Sequence, residues 1–337
     1  MARPKKLRTL TQEATWEGTL EVFLRGKPDL AETTRRDYLR HVRAFYSQPG
    51  ARFGRNERRY VDGFFRDPHL KPRTRNNRIA YLKAFWHFCL KQGIFQGTEI
   101  DLDEIRKTKA EVRVVWLDQE EMEALLESLE ARLERLDSWA ALRDRAMVIL
   151  GITSGLRTSE LRGLKIGDVS FERGVVHVRP EIAKTSRARA VPFVDRRARK
   201  VLAETIAMHR RLFRNDELPL FCNERGDELK QEAYFRRFRE ICSEAEKILK
   251  RKRGPGAREL RLTPYDLRHL FAARSVSMGQ DLELVRETMG HQSILTTQQY
   301  MAFGNRRVVE EYAKLDLLNN RKLEKAVSEK RARRLPS

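Results

Sequence analysis

The chain has 337 residues, 40% hydrophobic and 35% charged, enough for two globular domains with a core each. Lys and Arg total 69 against 48 Asp and Glu, a formal charge of +21 at pH 7, and such a surplus favours a polyanionic partner whose condensed counterions are released on contact. No apolar run approaches the roughly 18 residues of a spanning helix, and Met1-Ala2-Arg3-Pro4-Lys5-Lys6 lacks the apolar stretch of a signal peptide, so a cytoplasmic protein is expected, with no membrane partner.

In chain order, the first hundred residues read as helical. Thr33 and Thr34 precede Tyr38, Leu39, Val42, Phe45 and Tyr46, an apolar stripe at helical spacing. After the turn-like Lys71-Pro72, a second stripe runs Ile79, Leu82, Phe85, Trp86, Cys89 and Leu90, and Gly93 caps its end. Arg73, Arg75, Arg78 and Lys83 decorate that second helix without acids nearby, so its polar face is expected to meet phosphate and not only solvent. Residues 101–114 alternate charges with few large apolar side chains, as an interdomain linker would; the division is drawn as 1–105, a linker at 106–115, 116–318 and a tail at 319–337. Asp118 is placed to cap a helix, with Glu121 completing a capping box.

From there to about residue 318 the pattern is mostly helical, with one strand-rich insert around Val175–Val178 and Ala190–Phe193. Residues 250–261 carry Lys250, Arg251, Lys252, Arg253, Arg258 and Arg261 around Gly254-Pro255-Gly256 and read as a mobile basic loop. The stretch from Arg321 to Ser337 holds seven basic and two acidic residues. Cys89, Cys222 and Cys242 are widely spaced without a CxxC pair, which argues against a disulfide framework or zinc cluster. Small apolar roles in the core suit them better.

No Gly-rich GKS/T loop, HExxH or EF-hand pattern occurs. What does occur is a dispersed set of cations followed by one tyrosine. Phosphodiester exchange without metal needs fixed guanidinium groups for the charge that grows on the non-bridging oxygens. It also needs a proton donor for the leaving oxygen and an in-line nucleophile. Arg157, Arg268, Lys184, His291 and Tyr300 could supply those parts, although a lone arginine among 69 basic residues is far more often a surface charge. Their contexts raise the case. Gly155-Leu156-Arg157-Thr158-Ser159-Glu160-Leu161 follows an apolar helix, with Arg157 at the start of the next and Glu160 at i+3 on the same face. Thr263-Pro264 opens another helix, putting Tyr265 and Arg268 one turn apart. Met289-Gly290-His291 ends a helix at glycine, and Thr296–Tyr300 opens the next.

In this order the segments resemble the tyrosine recombinase family, phage integrases and Xer-like enzymes included. Its pattern is an arginine in a GLRxSEL-like box, a hairpin lysine (Lys184-Thr185 here), HxxR, an LGH-like box, and a tyrosine nine residues after that histidine, the spacing of Tyr300 from His291. One departure is Tyr265, where the family's box has histidine: a phenol can hydrogen-bond a phosphate oxygen but is a poor proton acceptor at neutral pH. Proton handling therefore falls mainly to His291, with His269 expected to pack or hydrogen-bond.

The resemblance implies a mainly α fold with a small β-sheet or hairpin, and a two-domain clamp around duplex DNA made of a helical core-binding domain and a catalytic domain. It implies that Tyr300 attacks the scissile phosphate to give a 3′-phosphotyrosine and that Arg157 and Arg268 clamp the phosphate. Lys184 would protonate the 5′-oxygen, and Glu160 would orient Arg157. Neither a metal nor ATP is expected. Arg187 and Arg189 share the hairpin, but a guanidinium cannot readily donate its proton, so Lys184 is kept as the donor and the two arginines are expected on DNA. Double-stranded recombination sites, a homotetramer in synapsis, accessory DNA-bending proteins and a nucleoid setting follow by the same resemblance; integration of a mobile element and chromosome-dimer resolution both fit. Tyr312 is the competing nucleophile, disfavoured by Glu310 and Glu311. The rival functions are a type IB topoisomerase, a non-catalytic regulator on the same scaffold, and a metal-dependent transposase, which would need a carboxylate cluster.

Overall fold

The aromatic stripes of the first hundred residues fold into four helices, α1 (Trp16–Arg25), α2 (Glu32–Tyr46), α3 (Arg58–Phe65) and α4 (Pro72–Lys91). The computed structural model describes residues 15–54, 58–95, 104–108, 115–184 and 186–301. The tail 319–337, Tyr312, Thr185 and most of the expected linker lie outside them. The chain divides into two compact units, Met1–Val112 and Arg113–Ser337.

The first unit is held by aromatic packing. Phe23, Phe45, Phe64, Phe85 and Trp86 are buried together, and such edge-to-face rings add to the burial of their area. The Trp86 indole N–H donates to Tyr46 Oη at 3.1 Å, so the one polar atom this ring brings inside is satisfied. Helix α2 starts at Glu32, before the two threonines expected to precede it. Asn76 on α4 exchanges two hydrogen bonds with the Thr108 backbone (2.7 and 2.9 Å), which holds that segment on the unit.

The second unit is built round α6 (Trp139–Ser154), nearly every residue of which is buried. It packs against α5 (Gln119–Leu136), α8 (Arg196–Phe213) and α10 (Pro264–Ser277), while α5 lies along α9 (Gln231–Arg253). Asp118 and Glu121 form the expected capping box at α5, with bonds of 3.0 and 2.9 Å. Short α7 (Thr158–Gly163), α11 (Leu282–Met289) and α12 (Leu295–Gln298) complete the α-helices described, and one 3-10 turn spans Ile166–Asp168. The strand-rich insert is a three-stranded antiparallel sheet, β1 (Val169–Ser170), β2 (Val175–Val178) and β3 (Arg189–Pro192), in the order β1-β2-β3. Strand β3 begins one residue before the expected run, pairing Val178 with Arg189 and Val176 with Val191. That register turns Val176 and Val191 into the core, which a one-residue slip would reverse.

Of the basic loop expected at 250–261, the first four residues are helical. Lys250–Arg253 form the last turn of α9, Lys252 pairs with Glu127 at 2.7 Å, and Arg253 pairs with Asp118 and Glu120. Arg258 reaches the buried Glu121 at 2.7 Å. The acids at the start and along α5, more than a hundred residues earlier, thus take up Lys252, Arg253 and Arg258, while Arg261 pairs with Glu259 beside it. The three cysteines are buried and unbridged, and burial holds their thiols well above the ordinary range, as small core residues should be.

Candidate active site

Two left-handed glycines position the arginines. Gly155 ends α6 at φ 65°, a backbone state that costs little only without a Cβ, and its carbonyl accepts Arg268 Nη1 at 2.7 Å. Gly290 ends α11 at φ 63°. There the His291 N–H returns to the Arg286 carbonyl (3.0 Å) and the Gly290 N–H to that of Glu287 (2.9 Å), the paired bonds of a Schellman cap. Arg157 Nη2 donates to the Gly290 carbonyl at 2.9 Å, and Arg268 Nη2 to Met289 at 2.6 Å. Two guanidinium groups from distant parts of the sequence thus sit side by side on the end of one helix, where exposed carbonyls favour cations.

Glu160 fixes the first of them. Its fully buried carboxylate accepts from the Arg157 backbone N–H and Nη1, both at 2.8 Å. Burial pushes that carboxyl up, but the Arg189 and Arg157 guanidiniums outweigh it and hold it below the usual range. Arg268 is half-buried beside Arg157, and desolvation followed by that like charge brings it down to about 9, still charged at neutral pH. Thr263 and Asp266 start α10 as a capping box, though not with the threonine hydroxyl as cap: the Asp266 carboxylate accepts from the Thr263 N–H and Oγ1 at 2.7 and 2.9 Å.

His291 is half-buried and hydrogen-bonded through Nδ1 to Thr297 Oγ1 at 2.9 Å. Desolvation, then the charges of Arg268 and Arg157, push it down to about 3, so it is a neutral imidazole at physiological pH. Tyr300 follows the one-turn α12 and is 1% exposed, packed against Ala272, Ala273, Val276, Val285 and Met289. Its hydroxyl lies 2.5 Å from His269 Nδ1. Burial raises its phenol to about 12, against the pull of the nearby Arg268 charge. Sequence reasoning expects His269 to pack or hydrogen-bond but does not foresee its partner Tyr300, nor Thr297 as the partner of His291. All lie in quoted segments, but bonds across 31 and 6 residues leave no periodic mark.

The other expected residues are placed differently. Lys184 and Arg187 are exposed in the β2–β3 connection. Tyr265 is half-exposed one turn before Arg268, edge-on to Phe235 at 5.3 Å. Arg189 is a correction: expected on DNA, it is turned inward, bidentate to Glu160 at 2.9 and 2.7 Å. Arg73 is exposed, whereas Arg75, Arg78 and Lys83 are half-buried. Arg78 lies 4.3 Å from the Phe64 ring and donates to the Phe64 carbonyl at 3.1 Å, so it serves the fold of its own unit. Among the described residues, no group of three or more His, Cys, Asp or Glu side chains could hold a metal, and no helix is long and apolar enough to cross a membrane.

Two anchored guanidiniums, a neutral histidine beside them and a buried phenol nine residues on define the class: a helical fold whose polar centre suits phosphoryl transfer to tyrosine. The sequence profile of the phage integrase family matches residues 115–306. Tyrosine recombinase XerC of Thermodesulfovibrio yellowstonii is 27% identical over 263 residues, 75% of this chain and 80% of the relative. Tyrosine recombinase XerC of Chromohalobacter salexigens is 30% identical over 256 residues, 76% and 78% of the two chains. The Tn1549 transposon integrase, solved with a circular intermediate DNA, superposes with a TM-score of 0.67 at 20% identity, covering 85% of this chain and 94% of that one. The chain belongs to the phage integrase family and is a tyrosine-type site-specific recombinase.

Proposed function

We propose that Tyr300 is the nucleophile of a DNA cleavage and rejoining reaction clamped by Arg157 and Arg268. The phenol oxygen forms a bond to the scissile phosphorus while the bond to the 5′-oxygen breaks, leaving a 3′-phosphotyrosine. Lys184 gives its proton to the departing 5′-oxygen. Because burial keeps the Tyr300 phenol protonated, its proton must go to a neutral base. His269 is the imidazole in contact with the hydroxyl, whereas His291, neutral but a weak base after its lowering, assists by hydrogen bonding at the phosphate. Arg157 and Arg268 bond the non-bridging oxygens, whose charge grows in the transition state, and Tyr265 adds a hydrogen bond there. The 5′-hydroxyl of a partner strand reverses the step, so the bond energy is kept and no ATP is consumed.

In this reading residues 1–105 are the core-binding domain and 116–318 the catalytic domain, and both meet one duplex. Arg73, Arg75, Lys83 and Arg187 contact its backbone. Two subunits occupy each recombination site, four assemble in synapsis, and DNA-bending proteins assist on the nucleoid in the cytoplasm. The observation that carries the reading is the convergence of Arg157 and Arg268 on adjacent carbonyls, at 2.9 and 2.6 Å, immediately before His291.

The test is covalent trapping on nicked duplexes enriched from a random library. A denaturation-resistant protein–DNA band is expected, lost in Tyr300→Phe and retained with a chelator. A band that persists in Tyr300→Phe removes the nucleophile assignment. Conversion of two-site plasmids, not supercoil relaxation alone, is expected in the recombination assay.

A further inference from the structure

Three successive carbonyls end α11, and each accepts a guanidinium from a different element. Gly290 takes Arg157 and Met289 takes Arg268; Thr288 takes Arg189 Nε, from β3, at 3.1 Å. Arg189 also closes the coordination of Glu160, which then accepts four bonds of 2.7–2.9 Å, two from Arg157 and two from Arg189. A carboxylate has about four acceptor sites, so Glu160 is saturated. With Glu160 fully buried and Arg189 12% exposed, one guanidinium alone would leave part of that demand unmet in a poorly solvated place. The fit is tight on the other side as well. A Cβ on Gly290 would stand 3.1 Å from Arg189 Cδ and Nε and 3.2 Å from Cζ. The glycine of the Gly290-His291 pair therefore leaves room for Arg189 besides adopting a left-handed turn.

We propose that Arg189 is a positioning residue for the cleavage reaction, tying the hairpin strand to Glu160 and to the end of α11 so that Arg157 and His291 keep their spacing. This rests on the clamp role of Arg157. Three of the five N–H groups of Arg189 are engaged by Thr288 and Glu160, and in this role they serve the carboxylate and the helix end. Its loss frees Glu160 to draw Arg157 towards itself, and a displacement of about 1 Å at such a clamp costs roughly 100-fold in rate.

The test is single-turnover covalent trapping on a nicked duplex with Arg189→Met and Arg189→Lys. The Met variant is expected to lose about 100-fold in cleavage rate and the Lys variant about 10-fold, with unchanged DNA affinity and an unchanged salt slope. Replacing the scissile phosphate by a methylphosphonate removes one charge that Arg157 must meet, so the Met defect should shrink to about 10-fold or less; a loss of packing alone would reduce both substrates equally. If the Met variant does not fold, the Lys variant on the two substrates decides. Cleavage at the parent rate overturns the role, and so does equal loss on both substrates. A salt slope reduced by about one unit makes Arg189 a phosphate contact instead. A parent protein without a Tyr300-dependent adduct overturns the clamp reading itself, and the role of Arg189 with it.

Discussion

Gly155→Ala tests whether the clamp depends on a helix end that only glycine can make. At φ 65° an alanine adopts the left-handed state at a cost of about 1 kcal/mol. Its Cβ would stand 2.3 Å from Phe271 Cδ1 and 2.9 Å from Cε1 and Cγ, so the ring or the end of α6 must retreat by about 1 Å to reach van der Waals distance. Overpacking of that kind adds about 1–3 kcal/mol, for a total of about 2–4 kcal/mol. The Gly155 carbonyl holds Arg268 Nη1 at 2.7 Å, so a shift of the helix end moves a phosphate-binding group too, and cleavage should fall by about 100-fold. Urea titration measures the first effect and single-turnover trapping the second. Phe271→Leu added to Gly155→Ala should recover the steric part but not the backbone part. The reasoning is refuted if Gly155→Ala lies within about 0.5 kcal/mol of the parent, or if it is destabilised yet cleaves at the parent rate.

Tyr300→Phe should abolish the covalent adduct on a denaturing gel while changing stability by no more than about 1.5 kcal/mol, the worth of its bond to His269; a larger loss in urea titration would make the hydroxyl chiefly structural. His291 titrates near 3 in the folded protein against about 6.5 unfolded. Between those values the unfolded chain binds a proton that the folded one refuses, so stability falls as pH falls through that window. His41 and His209, lowered chiefly by burial, act in the same direction. Thermal melts from pH 7 to pH 4 should decline less steeply in His291→Gln, and an unchanged slope would contradict the assignment. Lys184→Arg keeps the charge but not a transferable proton, so cleavage should drop about 100-fold. A substrate with sulfur at the 5′-bridging position should recover it, because a thiolate leaves without protonation; no recovery would take the acid role from Lys184.

Much of the site was legible because its parts are local. A glycine before Arg157, a threonine-proline before Arg268 and a glycine before His291 are helix-boundary signals that act within a few residues. Such signals set which backbone carries each side chain, and amphipathic spacing set the mainly helical class. The capping box at Asp118 and the buried cysteines belong to the same order of information.

Tertiary packing decided what lies between those boundaries. Whether Arg189 faces DNA or Glu160 depends on β3 lying against α11, and whether His269 meets Tyr300 depends on α12 folding back towards α10. The partners of Lys252, Arg253 and Arg258 in the expected basic loop were not legible because they lie at α5, distant in sequence. The physical reason is common to the first two. A guanidinium or an imidazole is equally at home in water or on a buried acceptor, so its identity does not reveal which it takes. Only the burial of Glu160 and of the phenol oxygen makes one partner obligatory, and that burial exists only once the helices have packed.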